Sequence, residues 1–85
     1  MNTHKDFNKV REQLGQRIEG LRRAQGLTQE KLGNMVGLDR TYILSIEHGR
    51  RNVGIDNLVK IASGLGVTLP ELFDGIDVTG LVDAS

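Results

Sequence analysis

Arg40 and Thr41, followed four residues later by Leu44 and Ser45, are the residues in this 85-residue chain best suited to a chemical task. A guanidinium can donate two parallel hydrogen bonds to guanine O6 and N7, worth about 1–3 kcal/mol of discrimination between bases. The hydroxyls of Thr41 and Ser45 suit either polarity of base edge, and Leu44 offers apolar contact to a thymine methyl. On a helix, positions four apart share a face, so these residues would form one patch. Other chemistry has little to draw on. The chain has no Cys, which excludes disulfides and thiolate metal sites. Its two His residues, His4 and His48, do not accompany a plausible nucleophile or acid. His48 follows Glu47 directly, and adjacent helical residues point about 100° apart, so they do not form a metal-ligand pair. Gly64-Leu65-Gly66 follows no strand and reads as a helix stop, not a phosphate loop. The expectation is binding without catalysis: no enzyme, no cofactor, no metal.

The elements that must position this patch are helices. Phe7, Val10, Leu14, Ile18 and Leu21 recur in steps of three and four, which predicts a first helix capped near Asp6 and ending near Gly26. Thr28 caps a second helix with Gln29 and Glu30 in its first turn, a stripe of Leu32, Met35 and Val36, and a stop at Gly37. Asp39 caps a third, Arg40 to His48, with Ile43 and Ile46 facing inward. A fourth runs from about Ile55 to Leu65, buried through Ile55, Leu58, Ile61, Ala62 and Leu65. Thr68-Leu69-Pro70-Glu71 is a capping box with Pro in the first turn, opening a short fifth helix. The tail from Asp74 onward reads as irregular. The fold class is all-α, with five helices. Gly37-Leu38-Asp39 between the second and third is the short glycine-containing turn of a helix-turn-helix. Gln29 then lies at a helix N-terminus, which favours phosphate.

Composition agrees. A hydrophobic content of 38% and a charged content of 26% suit a soluble globular domain. The N-terminus lacks the apolar run of a signal peptide, and no stretch reaches the ~20 apolar residues of a membrane span. The expected location is the cytoplasm. The formal net charge is zero. Its distribution is uneven: residues 1–51 carry +4 and residues 52–85 carry −4. A dipolar chain of this kind can turn a basic face toward phosphate.

The segments LGQRIEGLRRAQGLTQEKLG, VGLDRTYILSIEHGRRN and LVKIASGLGVTLPELF, from Leu14 to Phe73, resemble the Cro and lambda-repressor-like helix-turn-helix family. Within it, LDRTYI followed by IE and RRN is similar to controller proteins of restriction–modification systems. Gly33 stands where the family usually has Ala, which should weaken helix two slightly.

The resemblance implies a lambda-repressor-like DNA-binding domain over residues 14–74, preceded by an N-terminal extension of helix one (1–13) and followed by a tail (75–85). It implies double-stranded DNA as the partner, with the third helix in the major groove. Base contacts would fall to Arg40, Thr41, Leu44 and Ser45. Backbone contacts would fall to Gln29, Tyr42, Arg50, Arg51 and Asn52, with Tyr42 equally able to pack between helices. Arg22 and Glu47 match a family pair that joins helix one to helix three. Leu72, Phe73 and Ile76, with Leu81 and Val82 in support, are left over once the core is filled and suggest a homodimer interface. No small-molecule effector site is evident. The rival expectation is a protein-interaction, antitoxin-like module on the same fold, favoured by the apolar tail and opposed by Arg40, Gln29 and the Arg50-Arg51 pair.

Overall fold

The computed structural model describes residues 4–81, with side chains from Phe7 onward. Five helices follow in order: α1 (His4–Ala24), α2 (Gln29–Val36), α3 (Arg40–Glu47), α4 (Ile55–Leu65) and α5 (Leu69–Leu72). There is no strand among the described residues. α1 begins two residues before Asp6, so Asp6 lies inside the first turn and is not its cap. α3 stops at Glu47, with His48 as its C-cap.

Local chemistry fixes most of these ends. Thr28 accepts a hydrogen bond from the Lys31 backbone N–H at 3.0 Å, and Asp39 accepts from Thr41 N–H at 2.9 Å. Each satisfies a donor that the first helical turn would otherwise leave unpaired. Thr68 and Glu71 complete the capping box in both directions. Those bonds to Thr68, backbone first, hold the Glu71 carboxyl below the usual glutamate range.

The core is built from Leu14, Ile18, Leu32, Ile43, Ile46, Leu58, Ile61, Ala62, Leu65 and Leu72, drawn from all five helices. α1 and α2 both pack on α3, α2 also packs on α4, and α5 closes against α1 and α4. Gly15 sets the first of these approaches. A Cβ at this position would run into the carbonyl oxygens of Ile46 and Glu47, so the missing side chain is what lets α1 lie against the end of α3.

Three residues expected inside are elsewhere, or the reverse. Met35 is exposed: α2 meets its neighbours through Leu32, Gly33 and Val36, and Met35 lies about 100° around the helix from the centre of that face. Ile55 is exposed because it opens α4 on the flank of the Leu58–Ile61–Leu65 stripe. Leu72, expected to be left over for a partner, is fully buried in the protomer core.

The tail returns to the other end of the chain. The Gln13 carboxamide accepts from Asp77 N–H at 2.9 Å and donates to the Asp77 carbonyl at 3.1 Å. Arg17 donates twice to the Glu71 carbonyl, at 2.8 and 3.2 Å. The Asp77 carboxylate accepts from Thr79 N–H at 2.8 Å, which holds it below the usual aspartate range. Val82 lies outside the described residues.

Candidate nucleic-acid interface

The turn between α2 and α3 is closed by Gly37, which adopts a left-handed conformation (φ 73°) and donates its N–H to the Gly33 carbonyl. Gly33 has a role here beyond weakening the helix. A Cβ on it would strike the Leu38 carbonyl oxygen, so the turn as it stands here packs against a bare residue 33, and an Ala there would require it to open slightly. The half-buried Leu38 then ties the turn to the core.

This geometry presents the N-terminal end of α3 to solvent. Arg40 and Thr41 are exposed, and Arg40 shares a shallow hollow with Thr28, Gln29 and Glu30 at the start of α2. Arg40 has no ion-pair partner among the described residues, so its guanidinium donors are available. Ser45 is half-buried, and its hydroxyl donates to the Thr41 carbonyl at 2.8 Å. Its oxygen is left as an acceptor, the polarity required by the amino groups of adenine or cytosine. Leu44, expected to face solvent, is half-buried but stands apart from the core cluster.

A buried network sets the height of this edge. Glu47, at the end of α3, accepts from Arg22 Nε at 2.7 Å and Nη2 at 2.9 Å. Arg22 also donates to the Leu27 carbonyl at 2.7 Å. Both side chains are almost completely removed from water, and the hydrogen bond to Glu47 raises the Arg22 pKa above its ordinary value. Gln29 Nε2 donates to the same carboxylate at 3.0 Å. One carboxylate therefore links α1, the start of α2 and the end of α3. The carboxamide has a second N–H, and the α2 N-terminus adds backbone donors, so Gln29 retains capacity for an anion.

On the far side of α3, Tyr42 packs partly against the core, and its hydroxyl accepts from Asn57 Nδ2 at 3.0 Å. Arg51 lies over the ring, with Cζ 5.3 Å from the centroid, a cation–π contact that restrains the guanidinium. Arg50, Arg51 and Asn52 are all exposed on the loop after α3. Arg40 thus shares a hollow with Gln29 at the start of α2, while Arg51 lies over Tyr42 of α3. Ile76 is half-buried against the core, and Phe73 is exposed beside the buried Leu72.

Comparison with known proteins agrees with this architecture. The sequence profile of the helix-turn-helix family HTH_3 matches residues 18–72. The control protein C.MunI of Mycoplasma sp is 45% identical over 72 residues, covering 84% of this chain and 97% of its own. The chain belongs to the helix-turn-helix family HTH_3. C.BamHI of Bacillus amyloliquefaciens, a second control protein, is 43% identical over 79% of this chain and 84% of its own. The restriction–modification controller C.AhdI from Aeromonas hydrophila superposes with a TM-score of 0.73 at 44% identity, over 74% of this chain and 96% of that one. The controller C.Esp1396I, solved as a tetramer with its natural 35-base-pair operator, gives 0.72 at 36% identity, over 79% and 88%.

Asn57, Gln13 and Val59 of this helix-turn-helix protein escaped sequence reasoning, and Ile55 was assigned to the core. Asn57 holds Tyr42, and Gln13 holds the tail, each through a partner distant in sequence. Ile55 and Val59 form an exposed apolar pair on α4, four residues apart and flanking Ala62. The width of the α4 apolar stripe was the available signal, since Ile55, Leu58, Val59, Ile61, Ala62 and Leu65 span more of the helix than one core face needs.

Proposed function

We propose that this chain is a sequence-specific transcriptional regulator that binds double-stranded DNA as a homodimer, as a controller of a restriction–modification system, and acts in a prokaryotic cytoplasm by binding rather than catalysis. The observation that carries this reading is the exposure of Arg40 and Thr41 on the capped N-terminus of α3, between phosphate-seeking groups on both flanks. α3 lies in the major groove. Arg40, Thr41, Leu44 and Ser45 face the base edges, with Arg40 bidentate to guanine. Gln29 and the α2 N-terminus grip the backbone on one side. Arg50, Arg51 and Asn52 grip it on the other, with the Tyr42 ring serving as the platform for Arg51.

The test is selection from a randomised duplex library. The expected result is a two-fold related consensus whose half-sites are about one helical turn, 34 Å, apart. A library returned without enrichment would remove the specific-reader function and favour a protein-binding module.

Dimerisation in this reading uses a second copy of the same chain. Leu72 is not at the interface, being 0% exposed, whereas Phe73 is 38%, Val59 49% and Ile55 61% exposed. Phe73, with the half-buried Ile76 and with Ile55 and Val59 on α4, supplies the apolar surface. Val59→Asp and Phe73→Asp should therefore shift the monomer–dimer equilibrium toward monomer by at least tenfold in sedimentation experiments, because each places a charge in a desolvated contact. A dimer constant unchanged in both variants would rule this face out.

A further inference from the structure

We infer that the N-terminal part of α1 adds a DNA backbone contact outside the recognition module, with Arg11 as the residue that makes it. The inference rests on the DNA-binding reading above and concerns a phosphate on the flank of the operator. Two observations bring α1 to the loop that follows α3, and a third concerns the partners of Arg11. A methyl group built on Gly49 would lie 2.8 Å from Glu12 Cγ and 2.9 Å from its Cα, so α1 passes directly against the first residue of that loop. Arg11 and Asn52 line one hollow together with Phe7 and Val10. Arg11 has no ion-pair partner among the described residues, and its one hydrogen bond there is to Asn8 Oδ1 at 3.3 Å, one turn back.

The electrostatics point the same way. Arg50, Arg51 and Asn52 present donors on an exposed loop, and Arg11 lines a hollow with Asn52 of that loop. Glu12 lies against Gly49 at the start of the loop, and the adjacent Arg11 carries the opposite charge. Phosphates follow one another every 3.4 Å of helix axis on a strand, so a protein surface that continues past one contact meets the next phosphates outward. Lys9 provides an internal contrast. Two residues from Arg11, it projects to the other side of α1 and lines a different hollow, with Asp77, Val78 and Thr79 of the tail. Equal charges on one helix thus face two different surroundings, and only Arg11 faces the loop.

The experiment compares Arg11→Ala with Lys9→Ala on the duplex selected by the wild type. Both variants lose one positive charge, so long-range attraction falls alike. A direct phosphate contact adds about 0.9 to the slope of log K against log salt. Arg11→Ala should lose a slope of that size and weaken binding several-fold, by the same factor on selected and scrambled duplexes. Arg11→Lys should restore most of the slope. Trimming the flanking base pairs should weaken the wild type and Lys9→Ala while leaving Arg11→Ala unaffected. A wild-type slope in Arg11→Ala, or an equal loss in Lys9→Ala, would overturn the inference. Arg40→Ala on the same duplexes separates the two levels: if it loses base preference while Arg11→Ala matches the wild type, only the flank contact fails. If the wild type shows no base preference, the DNA reading fails with it.

Discussion

Arg40→Ala is expected to abolish preference for one base pair in each half-site while leaving the fold intact. The side chain is exposed and makes no ion pair among the described residues, so its removal leaves no buried group unsatisfied. A surface change of this kind usually alters stability by no more than about 0.5 kcal/mol. Binding should respond very differently. A bidentate arginine–guanine contact is worth about 1–3 kcal/mol, or roughly 5- to 150-fold, and a two-fold symmetric dimer loses it twice. Arg40→Lys should recover general affinity but only part of the preference, because an ammonium is a point charge without the planar fork. Arg51→Ala provides the contrast: uniform weakening across sequences and a shallower salt dependence. Competition binding with a panel of single-base-pair variants distinguishes these outcomes. An Arg40→Ala protein that ranks the panel as the wild type does would remove Arg40 from base reading.

The residues behind that prediction were legible in the sequence because short-range chemistry announces helix ends. Thr28, Gly37, Asp39 and Thr68 each act within four residues of themselves, and the helices they bound begin or end where those residues require. The direction of side chains at the edge of an apolar stripe was not legible in the same way. Periodicity marks a stripe but not which part of it a neighbour covers, so Met35 and Ile55 were expected inside. α5 has a single turn, too short to define a face, and cannot by itself separate the buried Leu72 from the exposed Phe73. Pairings across the chain leave no local trace: Gln13 meets Asp77 across 64 residues, and Tyr42 meets Asn57 across 15. Gly15 and Gly33 illustrate the same limit. Within one helix each is a weakness; against Ile46, Glu47 and Leu38 each is the space that lets two helices or a turn close up.

Glu47 is where stability and DNA binding meet, and Glu47→Ala should damage both. The carboxylate is buried and accepts two hydrogen bonds from Arg22 and one from Gln29. Its removal leaves Arg22, 6% exposed, without its two carboxylate hydrogen bonds and with only the partly exposed Glu19, at 4.0 Å, as a counter-charge among the described residues. Breaking one side of such a pair typically costs about 3–5 kcal/mol, a large share of the 5–15 kcal/mol that holds a domain together. Urea unfolding should show this as a lower midpoint at an unchanged slope. The double replacement Arg22→Met with Glu47→Leu tests what the pair is for. Apolar residues of similar volume often equal or exceed a buried ion pair in stability, so the double variant should regain much of the loss. It does not regain the acceptor that holds the Gln29 carboxamide at the start of α2, nor the three-way tie among α1, α2 and α3. Its affinity for the selected duplex should therefore remain low even where its melting matches the wild type. A single Ala variant within about 1 kcal/mol of the wild type would contradict the energetic argument. A stable double variant with wild-type affinity would show that Glu47 does not position the DNA-facing edge.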